Sequence, residues 1–240
     1  MGRRYRQLEQ DLEKARKAII WGLLVVITAF VLFEALRGQH FWNKIKGEGN
    51  LWNYGSSLIY FMVGELAIVN AILLAYRKKL DPRISRSWGV PAWTAAGLAF
   101  TFAACDEMLQ VHEKAGAVME RSAPWLCSIY PGHTENIILG SYVALAALFA
   151  IVFFKDLSAG SRSRGYFAAG ILSLATATLM DAVPRELYIN LLPFRETEEL
   201  LEVLAGYLFT AAFISTAAAS IVGILRAYDE AGVTRDDAKA

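Results

Sequence analysis

Long apolar runs separated by short charged clusters dominate the chain. Six runs stand out, at residues 18–36, 57–76, 89–110, 135–154, 165–184 and 200–225. About 20 apolar residues span the hydrocarbon core of a bilayer, because a helix rises about 1.5 Å per residue and the core is about 30 Å thick. A spanning segment must satisfy its own backbone in lipid. Helices do this, and the period-two alternation of a barrel is missing from these runs. The pattern predicts an all-α fold: a polytopic membrane helical bundle with six transmembrane helices. Ahead of the first run, Glu9, Glu13 and Lys17 recur at helical spacing. That predicts a solvated helix leading into the first span. The expected organisation is a cytoplasmic N-terminal helix over 1–17, a transmembrane domain over 18–226 and a cytoplasmic tail over 227–240.

Charge adds a direction. Six Lys and Arg residues precede the first run, and the clusters that follow carry three, five, two, three and two, with three in the tail. Alternate segments therefore hold 17 against 7. Positive charge is retained on the cytoplasmic side. The cluster Arg77, Lys78, Lys79, Arg83 and Arg86 anchors that side. The expectation is a bacterial-type inner membrane protein with both termini inside. The first run is long and lacks a small-residue cleavage site, so it reads as an uncleaved anchor. The segment 111–134, with Trp125, Pro124, Tyr130 and Pro131, suits headgroup level on the outer side.

Composition supports this and narrows the rest. Of 240 residues, 55% are hydrophobic, and the net charge is +1. No phosphate loop, nucleotide fingerprint or basic nucleic-acid patch is present, so neither nucleotide nor nucleic acid is an expected partner; the bilayer is. No span carries a central lysine, which excludes a retinal Schiff base. The two cysteines, Cys105 and Cys127, fit neither a zinc pair nor a redox CxxC. Cys105 is expected to be buried. The fifth and sixth runs are rich in Ala and Gly, which permits close helix approach. They also offer a contact surface for a homo-oligomer or a larger membrane complex.

Ionisable groups inside spans are costly, at about 2.5–3.5 kcal/mol each on insertion scales, and are expected to face inward and to serve a purpose. Glu34 ends the first run, Glu65 lies midway along the second, and Asp106 and Glu107 come late in the third, followed by Gln110, His112 and Glu113. Asp181 ends the fifth, ahead of Arg185 and Glu186, and Glu198, Glu199 and Glu202 open the sixth. On the predicted topology these acids, Glu65 excepted, share one depth in the outer leaflet. On a straight helix Asp106, Gln110 and Glu113 line one face with Ala99, Phe102 and Ala103, Glu107 sits at its edge, and His112 points about 120° away. Three uses follow. Asp106, Glu107, His112, Glu113, Asp181, Glu199 and Glu202 could ligate one or two divalent metal ions, serving a membrane-embedded enzyme on a lipid or small amphiphile. Glu65 and Asp106 could form part of a proton or cation pathway in a coupled transporter. Alternatively, the acids pair structurally, Asp181 with Arg185 for example, and the chain is an accessory subunit.

The stretch Cys105-Asp106-Glu107-Met108-Leu109-Gln110-Val111-His112-Glu113 resembles a signature of uncharacterised bacterial multi-pass membrane proteins, D-[DE]-x-x-x-[LIV]-H-E at the end of a span. The resemblance implies no activity. It does imply that Asp106, Glu107, His112 and Glu113 act together, against the straight-helix facing, with the span breaking near Gln110. The alkaline ceramidase type of membrane hydrolase has several zinc-ligand histidines with no counterpart here.

Overall fold

The computed structural model describes residues 2–36, 51–80, 89–125, 162–181 and 194–237, with scattered positions from 137 to 157. Six helices are bounded among the described residues: α1 (Gly2–Leu36), α2 (Leu51–Leu80), α3 (Gly89–Leu109), α4 (Val111–Ser122), α5 (Ser163–Asp181) and α6 (Phe194–Asp237). Among the described residues there is no strand. The solvated helix expected over 1–17 and the first apolar run form one continuous α1 of 35 residues. Most of the fourth run lies outside the described residues.

Cross-helix contacts fix the directions. Ser56 reaches Glu107 and Gly64 abuts Gly97, so α2 and α3 are antiparallel. Tyr60 contacts Glu202, Asn70 contacts Phe213 and Arg77 contacts Gly223, so α2 and α6 are parallel. Glu9 pairs with Arg226, Arg16 with Ser215 and Tyr207 with Ile20, so α1 runs antiparallel to α6. Gly170 and Phe167 both meet Phe209, and Phe167 also stacks on Phe213, which makes α5 antiparallel to α6 as well. The start of α1 and the end of α6 therefore share one end of the bundle. The late residues of α3 share the other end with the early residues of α2 and α6.

Helix α6 is the hub, packing against α1, α2 and α5. Its Ala205, Ala211 and Ala212 are almost wholly buried. Part of the small-residue surface of the last two runs is thus used inside the chain, while Ala168 and Ala169 remain exposed. Between the helices lies an aromatic layer. Phe100, Phe209, Phe213, Phe167 and Trp93 pack with ring centroids 4.9–6.2 Å apart. At the shared end of α1 and α6, Arg16 is buried, donating to Glu13 at 2.5 and 2.7 Å and to Ser215 Oγ at 3.0 Å. That hydrogen bonding holds the Glu13 carboxyl below its usual range.

Among the described residues two helical segments are long and apolar enough to cross a membrane, Tyr54–Leu80 and Thr197–Tyr228. The core helix of a soluble protein passes the same test, but it is mostly buried. Here only 33% and 39% of the respective apolar windows is buried. The remaining faces are large and apolar: Leu58, Ile72, Trp21, Val26, Leu98 and Leu172 are each more than half exposed. Apolar surface on this scale calls for lipid or a partner protein. Among the described residues the fold thus shows an all-helical bundle with two candidate crossings, and most of the fourth run lies outside them. Ser, Thr, Gly and Ala dilute α5, and Pro91, Trp93 and Asp106 dilute α3.

Candidate functional site

The third apolar run does not continue past Gln110. Gln110 adopts φ 54° and ψ 45°, the left-handed region, and is the one non-glycine residue with positive φ among the described residues. A left-handed residue costs about 1–2 kcal/mol, so something must hold it there. Two contacts from Asp106 do so. Its Oδ1 accepts the main-chain N–H of His112 at 2.7 Å, and its Oδ2 meets His112 Nδ1 at 2.9 Å. The first bond satisfies an otherwise unpaired donor in the opening turn of α4, where no side chain of Gln110 serves as cap. Lys114 Nζ closes the other side of the break, donating to the last carbonyl of α3, Leu109 O, at 2.7 Å.

The break overturns the straight-helix facing. Asp106 is 4% exposed, whereas Phe102, one turn earlier on the supposed common stripe, is 49% exposed. His112 does not point away; it folds back onto Asp106. Cys105, expected to be buried, is exposed.

The centre extends to two further helices. Ser56 Oγ of α2 donates to Glu107 Oε1 at 3.3 Å. One turn on, the buried Tyr60 hydroxyl donates to the main-chain oxygen of Glu202 at 3.4 Å and lies in the combined field of Glu202, Glu107 and Glu199. Tyr60 stacks on Phe100, with centroids 6.4 Å apart, and so joins the polar end to the aromatic layer. Neither Ser56 nor Tyr60 emerges from the sequence reading. The signal for both was present: Ser56, Ser57 and Tyr60 form a polar patch in the first turns of a largely apolar helix.

Electrostatics bear on His112, which lies beyond the end of α3. Burial opposes its charge most strongly. The hydrogen bond to Asp106 and the charges of Asp106, Glu113 and Glu107 outweigh burial, and the imidazole is raised above its ordinary value. With Nδ1 engaged by Asp106, Nε2 on the far side of the ring is the atom left for chemistry.

The predicted site residues divide accordingly. Asp106, Glu107, His112 and Glu113 come together at the α3–α4 break, and Glu199 and Glu202 approach through Tyr60. Glu65 does not join them; it is exposed on another face of α2. Asp181 closes α5, but its side chain, like that of Glu34, lies outside the described residues, as do Arg185 and Glu186. Among the described residues no three His, Cys, Asp or Glu side chains are arranged to hold a metal ion. Asp106 is committed to His112 and Glu107 to Ser56.

No curated protein and no solved structure matches the chain. The family comparison does give a match, over residues 18–217, which takes in α2, α3, α4, α5 and the first half of α6 and therefore every residue of the centre. The chain belongs to the DUF8692 family, a domain of unknown function.

Proposed function

We propose that this chain is a six-span inner-membrane protein with both termini cytoplasmic. In its outer leaflet, His112, oriented by Asp106, is the proton acceptor of a membrane-embedded enzyme acting on a lipid or small amphiphile. The observation that carries the reading is the double contact of Asp106 with His112 across the break at Gln110. A carboxylate on Nδ1 fixes the ring and its tautomer, stabilises the imidazolium and leaves Nε2 to take a proton. Glu107 and Glu113 add negative field at the same ring. Charge counting supports the topology, since Arg77, Lys78 and Lys79 end α2 at the opposite end from the centre. Lipid headgroups reach the depth of such a site, and water enters it from outside.

The aromatic layer favours an enzyme over a carrier. Phe100 precedes Asp106 by six residues, about 9 Å of helix, and Phe209 follows Glu202 by seven, about 10 Å. Both rings lie inward of the centre and close it toward the other end of the bundle. The test is lipid turnover. Full-length protein in vesicles of bacterial polar lipid is incubated and its lipids are read by mass spectrometry. A lipid species should be converted by the wild type and at least about 100-fold more slowly by His112→Gln, the usual scale of general acid–base catalysis. Equal lipid profiles with and without protein would remove the enzymatic reading.

One observation favours a divalent metal as a second reading. A histidine whose Nδ1 is held by a carboxylate has the second-shell support typical of metal-ligating histidines. Stoichiometric metal in the purified protein, lost in both Asp106→Ala and Glu202→Ala, would support it; metal-free protein with intact turnover would reject it.

A further inference from the structure

Helix α2 buries two faces, one against α3 and one against α6, and leaves a third open. The open face carries Tyr54, Leu58, Met62, Glu65, Val69, Ile72 and Tyr76, all exposed. Their spacing is four, four, three, four, three and four residues, close to the 3.5-residue repeat with which one helix packs along another. Six of the seven are apolar or aromatic. The seventh is an acid at the centre of the stripe.

Glu65 lies 11 residues from Tyr54 and 12 from Arg77, about 16 Å and 18 Å along the helix and so close to the middle of the crossing. It has no hydrogen bond or ion pair among the described residues. Two acids of the centre have such a partner, Asp106 in His112 and Glu107 in Ser56. An acid turned toward hydrocarbon is costly and is expected to find a partner. The position is not solvated from the site either, because Val63 and Ala67, wholly buried, turn the opposite face of α2 into the core.

We infer that this face of α2 is a docking surface for a transmembrane helix of a different protein that carries a lysine or arginine near mid-membrane. Charge complementarity selects that occupant. A symmetric pair of this chain through the same face would set Glu65 against Glu65. No other described apolar segment of the chain offers a base at that depth. In α2 and α6 the nearest bases, Arg77 and Arg226, sit at the ends of the spans. The inference is independent of the enzymatic reading, and either can fail alone.

The probe is a synthetic membrane-spanning Leu–Ala peptide with one central lysine. Its association with the full chain is measured by energy transfer in phosphatidylcholine–phosphatidylglycerol vesicles. The lysine peptide should bind roughly tenfold more tightly than the same peptide with a central leucine, on the scale of intramembrane polar contacts. Glu65→Leu should erase the difference while leaving thermal unfolding and lipid turnover unchanged, since Glu65 is exposed. Equal binding of the two peptides, or a lysine preference that survives Glu65→Leu, would overturn the inference. So would ready disulfide cross-linking between copies through Met62→Cys or Val69→Cys, made with Cys105 and Cys127 replaced by serine, which would assign the face to a second copy.

Discussion

Asp106→Ala is expected to release α4. The substitution removes both contacts that hold the break at Gln110, a bond to a main-chain N–H at 2.7 Å and a bond to the His112 ring at 2.9 Å. Hydrogen bonds to a charged acceptor are worth about 1.5–3 kcal/mol each, so a loss of about 3 kcal/mol from the local structure is expected. Gln110 then has no reason to remain at φ 54°. The favourable course is the right-handed region, with α3 and α4 joined into one helix. In that helix His112 sits about 120° from residue 106 and leaves the centre. Amide hydrogen exchange reads this directly: the Val111 amide, which has no main-chain partner across the break among the described residues, should gain protection as it bonds to the Glu107 carbonyl, while the amides of Gly89–Leu109 keep theirs. Gln110→Gly in the Asp106→Ala background should restore part of the break, because glycine occupies the left-handed region without penalty. Unchanged exchange at Val111 in Asp106→Ala would show that something other than Asp106 holds the turn.

The second large effect is expected at Gly64. A Cβ there would lie 2.6 Å from Thr101 Oγ1, 3.0 Å from Gly97 O and 3.1 Å from Thr101 N. Two of these three are backbone atoms and cannot rotate aside, so α2 and α3 must separate. Overpacking of this kind costs about 1–3 kcal/mol. In lipid, where close packing drives helix association, little compensates for it. The effect reaches the centre, because Ser56 and Tyr60 ride on α2 and Glu107 on α3. Gly97→Ala should be milder. Its Cβ meets Ile68 Cδ1 at 2.5 Å, the end of a flexible side chain, before the Gly64 carbonyl at 3.1 Å. Gly55→Ala, with nothing within 4 Å, should be neutral. Thermal unfolding in detergent should rank the three in that order, and Gly64→Ala melting like Gly55→Ala would contradict the packing.

Much of this was legible in the sequence because it follows from rules that act locally. Apolar runs mark helices wherever they pack, and α2, α3, α5 and α6 fall on the expected runs within a few residues at most of their ends. The directions of α1, α2, α3, α5 and α6 agree with an alternating bundle. The break at Gln110 was not legible from helical periodicity, which assumes one continuous axis. Nothing intrinsic to glutamine forces a left-handed turn. The turn exists because Asp106 reaches six residues ahead, a contact between residues that a wheel places on different faces. The nine-residue stretch around it carried a hint of the break only as a unit. Ser56 and Tyr60 stayed hidden for a related reason. A serine or tyrosine in an apolar helix has no chemistry until a neighbouring helix brings an acid to it, and that pairing is set by the Gly64–Gly97 approach. Glu65 carried the opposite lesson. A costly intramembrane acid is expected to face inward, and this one faces out.

The claim on which the rest depends is that Asp106 holds His112 in a single centre, and nitrogen NMR of the histidine ring across pH tests it most directly. A raised imidazole makes the pair stabilising below the ordinary imidazole value of about 6.5, with that contribution lost as pH climbs through the raised folded value. His112 should therefore titrate above its ordinary value in the wild type, and Asp106→Asn, which keeps the shape and removes the charge, should bring it down. An ordinary titration in both proteins would mean that the ring and the carboxylate do not meet.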